Sequence, residues 1–146
     1  MNKKTAVFSI LIISMLMLPS LLGVAYAGNV KDKSASATYK ALENPGDYQV
    51  NIFNDGDVKI ASIDIVVDSG AVVSNVWGFT EGWIDSYNFG SFNTLYATAE
   101  AKAVLHKGDV GSFTFHIDSG VISTVVFHTY DKKGNSLIID YAVLES

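Results

Sequence analysis

The stretch with the strongest potential for ligand chemistry is residues 77–96, WGFTEGWIDSYNFGSFNTLY, which places seven aromatic residues within twenty positions. Aromatic rings beside carboxylates and amides are typical of a sugar-binding surface, because a ring stacks on the apolar face of a sugar while polar groups bind its hydroxyls. The glycan hypothesis assigns the contacts to five residues: Trp83 and Tyr87, expected to be exposed, and the polar Glu81, Asp85 and Asn88. The favoured alternative is a loop whose aromatic side chains pack inward.

A second stretch, residues 51–68, NIFNDGDVKIASIDIVVD, begins like a calcium-binding loop. An EF-hand loop needs oxygen ligands at positions 1, 3, 5 and 12, with glycine at 6. With Gly56 at position 6, Phe53 and Ser62 occupy ligand positions, and neither supplies the required carboxylate. A weak calcium site at Asp55 and Asp57 stays open beside the simpler reading of a solvated turn. No other metal or cofactor is expected.

Residues 51–68 are therefore better explained as strands and a turn than as a calcium-binding loop. The flanking residues are β-branched and alternate in polarity, as in strands, and Asp55-Gly56 is a strong two-residue turn signal. The sequence predicts a β-hairpin over 51–68.

The same logic predicts a second hairpin, with Ser119-Gly120 as its loop. In that register Phe113, Phe115 and Ile117 share a core-facing side with Ile122, Thr124 and Val126. His116 would then point to the opposite side from His128, and His106 sits at a separate turn. A histidine metal site is not expected.

The N-terminus has the pattern of a secretory signal peptide. Lys3 and Lys4 precede an apolar run over 6–24, and Ala25-Tyr26-Ala27 has the form of a signal-peptidase site. We expect cleavage after Ala27, although the apolar run is also long enough for an uncleaved membrane anchor. The predicted product is one secreted or cell-surface domain, residues 28–146, with no further membrane span.

Composition excludes several functions for residues 28–146. There are eight lysines, no arginine and fifteen acids, a formal net charge of −7, so nucleic acid is not an expected partner. Cysteine is absent, which removes thiol catalysis and disulfide stabilisation. Nucleophile-elbow, zinc-protease and phosphate-loop motifs are missing as well. An enzyme is the least favoured class.

Short alternating segments separated by turn signals about every 8–12 residues predict an all-β fold. The expected architecture is an immunoglobulin-like antiparallel β-sandwich of about 7–9 strands. The predicted strands are 38–42, 48–54, 58–67, 71–78, 94–105, 112–118, 121–131 and 137–144.

The order of these elements resembles a known family. Its motifs are, in chain order, Tyr48-x-Val50-x-Ile52-x-Asn54-x-Gly56-Asp57, Ile63-x-Ile65-x-Val67-Asp68, Gly82-Trp83, Leu105-x-x-Gly108-Asp109, Phe113-x-Phe115 and Asp131-x-x-Gly134-Asn135. Together they resemble the immunoglobulin-like modules of prokaryotic secreted and surface proteins, namely the bacterial cell-adhesion-related domain and cohesin-like sandwiches. The resemblance implies spacing, adhesion or assembly without catalytic residues.

The sequence thus predicts a non-catalytic structural or adhesive module of the cell surface or extracellular matrix. Its partners would be copies of itself or other surface proteins. Residues 28–42 form a candidate mobile arm that could add a strand to a neighbouring copy, unless 34–42 pair within their own chain. The alternative function is carbohydrate binding through 77–96.

Overall fold

The computed structural model describes residues 31–85 and 93–146. These residues form ten strands in two sheets. The strands are β1 (Ser36–Ala41), β2 (Asp47–Phe53), β3 (Ser62–Val67), β4 (Val72–Trp77), β5 (Trp83–Asp85), β6 (Thr94–Ala99), β7 (Val110–Ser119), β8 (Val125–Tyr130), β9 (Ser136–Tyr141) and β10 (Val143–Leu144). No helix that could span a membrane occurs in the described ranges. The predicted signal peptide, 1–27, lies outside them.

Sheet I has the strand order β10-β1-β2-β7-β4, and sheet II has the order β5-β6-β3-β8-β9. All neighbouring strands are antiparallel except β1 and β10, which are parallel. The predicted all-β sandwich is therefore confirmed. Ten strands exceed the expected number because the short β5 and β10 extend the sheet edges.

Alternating side chains make the core between the sheets. Sheet I contributes Ile52, Phe113 and Phe115, and sheet II contributes Ile65 and Phe127, all of them buried. Each lies between two residues that face away from the core, which is the two-residue period of a strand with one buried face. The predicted core positions Phe113, Phe115 and Ile117 are confirmed.

The hairpin predicted over 51–68 is wrong. β2 belongs to sheet I and pairs with β1 and β7, whereas β3 belongs to sheet II and pairs with β6 and β8. The connecting chain crosses the sandwich around the buried Asn54 side chain. Its Nδ2 donates to the carbonyls of Val58 and Leu105, both at 2.9 Å, and its Oδ1 accepts from Gly56 N.

Gly56 is needed at this crossing for a different reason from the predicted turn. A Cβ at Gly56 would lie 2.5 Å from Ser34 N and 2.6 Å from Asp32 O. The glycine therefore permits a close approach of the N-terminal segment, which Asp57 N fixes by donating to Asp32 O.

The second predicted hairpin is also wrong. β7 lies in sheet I and β8 in sheet II, so the chain after Ser119-Gly120 crosses the sandwich. Asp68, just after β3, holds this crossing: its carboxylate accepts hydrogen bonds from the backbone N–H and hydroxyl groups of Ser123 and Thr124. As a result Val125 and Phe127 face the core, and Val126 and His128 face outward, opposite to the prediction for Val126 and His128.

Two other turns do close hairpins. β1 pairs with β2 across the predicted Asn44-Pro45-Gly46-Asp47 turn, and β8 pairs with β9 across the turn predicted at 132–135. Gly46 and Gly134 adopt φ values of 89° and 77°, which favour glycine. β1 also pairs with β10, so 36–41 lie inside sheet I of their own chain. This is the outcome expected if 34–42 pair internally.

Candidate binding face

The outer face of sheet II brings aromatic, hydroxyl and ionisable side chains together. Ile63 and Ile65 point into the core, so Asp64 between them points outward. In register with Asp64 lie Tyr96 on β6 and His128 on β8, and directly paired residues share one face. We call this surface the tyrosine face. Its three rows are Tyr96-Asp64-His128-Ile139, Thr98-Ser62-Tyr130-Ser136 and Thr94-Val66-Val126-Tyr141.

A chain of hydrogen bonds crosses this face. Tyr130 Oη donates to Asp64 Oδ2 at 2.5 Å and lies 2.7 Å from His128 Nδ1. On the other side of the ring, His128 Nε2 lies 2.7 Å from Ser136 Oγ. The rings of His128 and Tyr130 are 4.1 Å apart between centroids. Side chains from β3, β8 and β9 are thereby joined in one hydrogen-bonded network.

The environment of Tyr130 keeps its hydroxyl protonated. Burial raises the pKa of Tyr130 above its usual range, and the hydrogen bond to the Asp64 carboxylate raises it further. A protonated hydroxyl is the donor that the Asp64 carboxylate requires, so the electrostatics and the geometry agree.

Next to this polar chain the face is apolar and open. Ile139 and Tyr141 on β9 are 64% and 66% exposed. Val66 and Val126 lie beside them, half-buried. The outer face of an antiparallel sheet exposed to water usually carries polar residues, so the exposed Ile139 and Tyr141 make this face a candidate binding surface.

The tyrosine face carries negative charge and lacks a fixed positive one. Of the acids on the described strands of sheet II, Asp64 lies on this face, whereas Asp85 and Asp140 pair in register with the inward-facing Ala97 and Phe127, and none of these strands contains a lysine. A strongly acidic ligand would be repelled from the middle of this face.

The outer face of sheet I is different, and we call it the polar face. Its central residues are amides and hydroxyls: Gln49, Asn51, Ser112, Thr114 and Thr38. At one end, His116 Nδ1 lies 2.6 Å from Asp47 Oδ1. Trp77, 39% exposed, lies at the edge on β4.

The predicted glycan residues are not assembled into a site in the described chain. Trp83 is only 4% exposed: its ring packs edge-on against Phe113, and its Nε1 donates to Ala103 O at 2.7 Å. The expectation that Trp83 is an exposed sugar-stacking residue is wrong, because the ring is part of the core. Glu81 and Asp85 are exposed, whereas Tyr87 and Asn88 lie outside the described residues.

The acids of the predicted weak calcium site each have a protein partner. Asp55 Oδ2 accepts from Ser36 Oγ at 2.7 Å, and Asp57 Oδ1 lies 3.0 Å from Lys107 Nζ. The hydrogen bond to Lys107 lowers the pKa of Asp57. Across the described part of the chain, no group of three or more histidines, cysteines or acids is placed to hold a metal. Weak calcium binding at Asp55 and Asp57 stays a prediction.

The tyrosine face was missed by the sequence reading for a topological reason. Tyr96 belongs to the aromatic stretch 77–96, but Asp64, His128 and Tyr130 come from segments assigned to the two wrong hairpins. A usable signal was present: in VVFHTY the aromatic and polar residues alternate with Val125, Phe127 and Thr129, so one side of the strand carries His128 and Tyr130 together.

Comparison with known proteins identifies similar structures but no family for this chain. No family model matches the chain, and no curated protein matches it. Among solved structures the chain is similar to a GH20 exo β-N-acetylglucosaminidase from Vibrio harveyi, with 12% identity and a TM-score of 0.43 over 76% of this chain and 18% of that one. It is also similar to ChBD2 from Thermococcus kodakarensis, with 12% identity and a TM-score of 0.43 over 77% and 100% of the two chains.

A cohesin module of a family 33 glycoside hydrolase from Clostridium perfringens matches with 8% identity and a TM-score of 0.42, over 76% of this chain and 96% of that one. Cohesin-like sandwiches, which the sequence resembles, are thus among the matching structures. The chain spans under a fifth of the glycosidase's length. The class of the protein, an all-β sandwich of two five-stranded sheets, is established by its own strands.

Proposed function

We propose that the protein is a non-catalytic binding module of the extracellular space or cell surface, and that the tyrosine face is its binding surface. The observation that carries the proposal is the hydrogen-bonded chain Asp64-Tyr130-His128-Ser136 beside the exposed Tyr141 and Ile139. A preorganised polar array next to exposed rings suits recognition, because little side-chain entropy remains to be lost on binding.

The ligand class that this surface fits best is carbohydrate. Tyr96 and Tyr141 offer rings for stacking, while the oxygens of Asp64 and Ser136 keep lone pairs that can accept hydrogen bonds from sugar hydroxyls. The face of a sheet is also broad and shallow, as an extended polysaccharide requires. Adhesion would follow from glycan binding at a surface.

Self-assembly by strand exchange has less support. β1 pairs with β2 along its whole length and with β10 at Thr38 and Tyr39. Donating it to a neighbour would break both pairings. The exposed apolar pair Ile139 and Tyr141 would also suit a protein partner, which is the second candidate and an outcome that the following experiment distinguishes.

The test is binding of the purified protein to an array of neutral polysaccharides, followed by calorimetry with the best ligand. Tyr96→Ala and Tyr141→Ala should each weaken binding about tenfold, which corresponds to about 1.4 kcal/mol of lost stacking. Trp77→Ala is the matched control, because this exposed ring lies at the edge of the other sheet. It should bind as tightly as the wild type.

The glycan should be recovered unchanged, since no turnover is proposed. An array without any bound polysaccharide would overturn carbohydrate as the ligand and favour the protein partner. A loss of binding in Trp77→Ala, with both tyrosine variants unaffected, would move the binding surface to the polar face.

A further inference from the structure

A cavity opens at one end of the tyrosine face, next to the β8–β9 turn. Its volume is about 560 Å³, within the roughly 300–1,000 Å³ typical of small-molecule sites. We call it the lysine pocket. It is lined by Ala61, Ser62, Thr98, Ala99, Ala101, Val104, Asp131, Lys132, Lys133 and Gly134. Small side chains leave the space, and polar ones surround it.

The lysine pocket is continuous with the tyrosine face. Ser62 and Thr98 line the pocket and also form the outermost row of the face, in register with Tyr130. A chain-like ligand that lies across the tyrosines would therefore place its end in the pocket.

Charge changes sign between these two places. The tyrosine face carries the acid Asp64 and no lysine, whereas Lys132 and Lys133 border the pocket. Lys132 Nζ donates a hydrogen bond to the carbonyl of Ala101, another residue of the pocket, at 3.2 Å. A cationic rim beside an anionic face attracts an anionic group to one end of the ligand only.

The acid of the pocket is already engaged in its own turn. Asp131 accepts hydrogen bonds from Lys133 N, Asn135 N and Asn135 Nδ2 at 2.8–2.9 Å. The bonds from Asn135 are the main cause of a lowered pKa for Asp131, which keeps the carboxylate charged. With one acid and two lysines, the pocket has a formal charge of +1.

We infer that the lysine pocket binds an acidic sugar unit, with Lys132 and Lys133 meeting its carboxylate and Ser62 exchanging a hydrogen bond with a hydroxyl. The inference rests on the proposed function, because it assigns the end group of the glycan that the tyrosine face would hold. Lysine ammonium groups act as point charges and suit a single carboxylate at a pocket rim.

A second cavity of about 610 Å³ provides an internal comparison. It is lined by Glu81, Gly82, Glu100, Ala101, Lys102 and Ala103, so its formal charge is −1. A carboxylated sugar should avoid it. Lys102 is accordingly the control lysine for the variants.

The first experiment follows backbone amide NMR signals during titration with sodium glucuronate and, separately, with methyl glucoside. Glucuronate should shift the signals of Ser62, Lys132 and Gly134 at concentrations about tenfold below those needed for methyl glucoside, and the shifts should weaken with added salt. K132Q combined with K133Q should remove this tenfold preference, and K102Q should retain it. Sodium acetate is the probe for charge alone.

The second experiment separates this inference from the proposed function. A neutral oligosaccharide and the same oligosaccharide ending in a glucuronate are compared by calorimetry. Wild type should bind the acidic one about tenfold more tightly, the double lysine variant should bind both equally, and Tyr96→Ala should lose affinity for both.

Equal binding of both oligosaccharides by the wild type would overturn the acidic-sugar inference and leave the tyrosine face standing. If glucuronate shifts the pocket signals but neither oligosaccharide binds, the tyrosine face would be overturned as the glycan-binding surface, and the acidic-sugar site would stand. Equal effects of acetate and glucuronate would reduce the pocket to a charge-binding surface and overturn its assignment to a sugar.

Discussion

The two outer faces of the sandwich cover the same core but are built from different side chains. The polar face carries amides and hydroxyls at its centre and a histidine–aspartate pair at one end, with apolar side chains at Trp77 on the edge strand β4 and at the paired Phe53 and Val110. The tyrosine face carries Tyr96, Tyr130 and Tyr141 with aliphatic neighbours on β3, β8 and β9. Folding requires apolar side chains on the inner side of each sheet only. The outer sides are therefore free to differ with function.

Hydrogen bonding differs between the faces as well. On the polar face the links run through Glu145 near the C-terminus, which accepts from Thr38 Oγ1 and Asn51 Nδ2 and lies 3.8 Å from Lys40 Nζ. The Glu145 contacts are exposed and water can replace them, whereas the Ser112–Asn51 and His116–Asp47 links of the same face are partly buried. On the tyrosine face the links from Tyr130 to Asp64 and His128 are partly buried, and the link from His128 to Ser136 on β9 is exposed. The network of the tyrosine face differs in containing two rings, those of His128 and Tyr130, whose centroids are 4.1 Å apart.

The largest predicted effect tests whether the two faces share one core. Phe113→Ala beneath the polar face and Phe127→Ala beneath the tyrosine face should each lower the free energy of unfolding by about 3–5 kcal/mol, because both rings are fully buried. Urea titration followed by tryptophan fluorescence measures both. A difference of more than about 2 kcal/mol between them would contradict a common core, given the spread of such substitutions.

The next effect is smaller and separates the faces. Tyr130→Phe removes the hydroxyl that joins Asp64 to His128, and should cost about 1–2 kcal/mol because a partly buried charged acceptor loses its donor. On the polar face, Ser112→Ala removes the hydroxyl that donates to Asn51 Oδ1 and should cost less, about 0.5 kcal/mol, because this partly buried acceptor is uncharged. Equal costs in urea titration would remove the distinction between the two networks.

Alkaline pH tests the contribution of the Tyr130 hydroxyl without a change in packing. The pKa of Tyr130 is raised by folding from an ordinary value of 10.0, so its contribution to stability is present below that pH and is lost as pH rises through the folded pKa. Above about pH 10, wild type should lose free energy of unfolding more steeply than Tyr130→Phe. Tyr141→Phe, altered at an exposed tyrosine of the same face, should follow the wild type.

Sequence reasoning identified the class of fold because the two-residue period and the turn signals are local properties. It failed at 51–68 and 112–131 because a turn signal does not determine whether the next strand pairs with the preceding one or crosses to the other sheet. The crossing is fixed by distant residues. Asn54 binds Leu105 O, and Asp68 binds Ser123 and Thr124, contacts that span more than fifty positions.

The candidate site was less predictable than the fold for the same reason. Aromatic density drew attention to 77–96, where Trp83 proved to be core, because a cluster of rings in sequence serves packing as well as binding. The tyrosine face takes its residues from β3, β6, β8 and β9, and their neighbourhood depends on strand order. Only Thr94 and Tyr96 were within the predicted stretch.

The smallest predicted effect on folding stability concerns the free edge of sheet II. β9 reads SLIIDY, and Asp140 is its one charged residue. Asp140 pairs in register with the inward-facing Phe127, and its Oδ1 accepts from Tyr141 N at 2.8 Å. A charge placed on the inner side of an edge strand, with a backbone N–H capped by a side chain, discourages pairing with another chain.

Asp140→Val should therefore leave the free energy of unfolding within about 0.5 kcal/mol of wild type, because the position is exposed. Its sedimentation coefficient should instead rise with protein concentration, as freed edges of sheet II pair between copies. Asp118→Val is the matched control: it removes the same charge at another exposed position, on β7, which already pairs with β2 and β4. Association of both variants, or of neither, would mean that Asp140 does not protect the edge beside the tyrosine face.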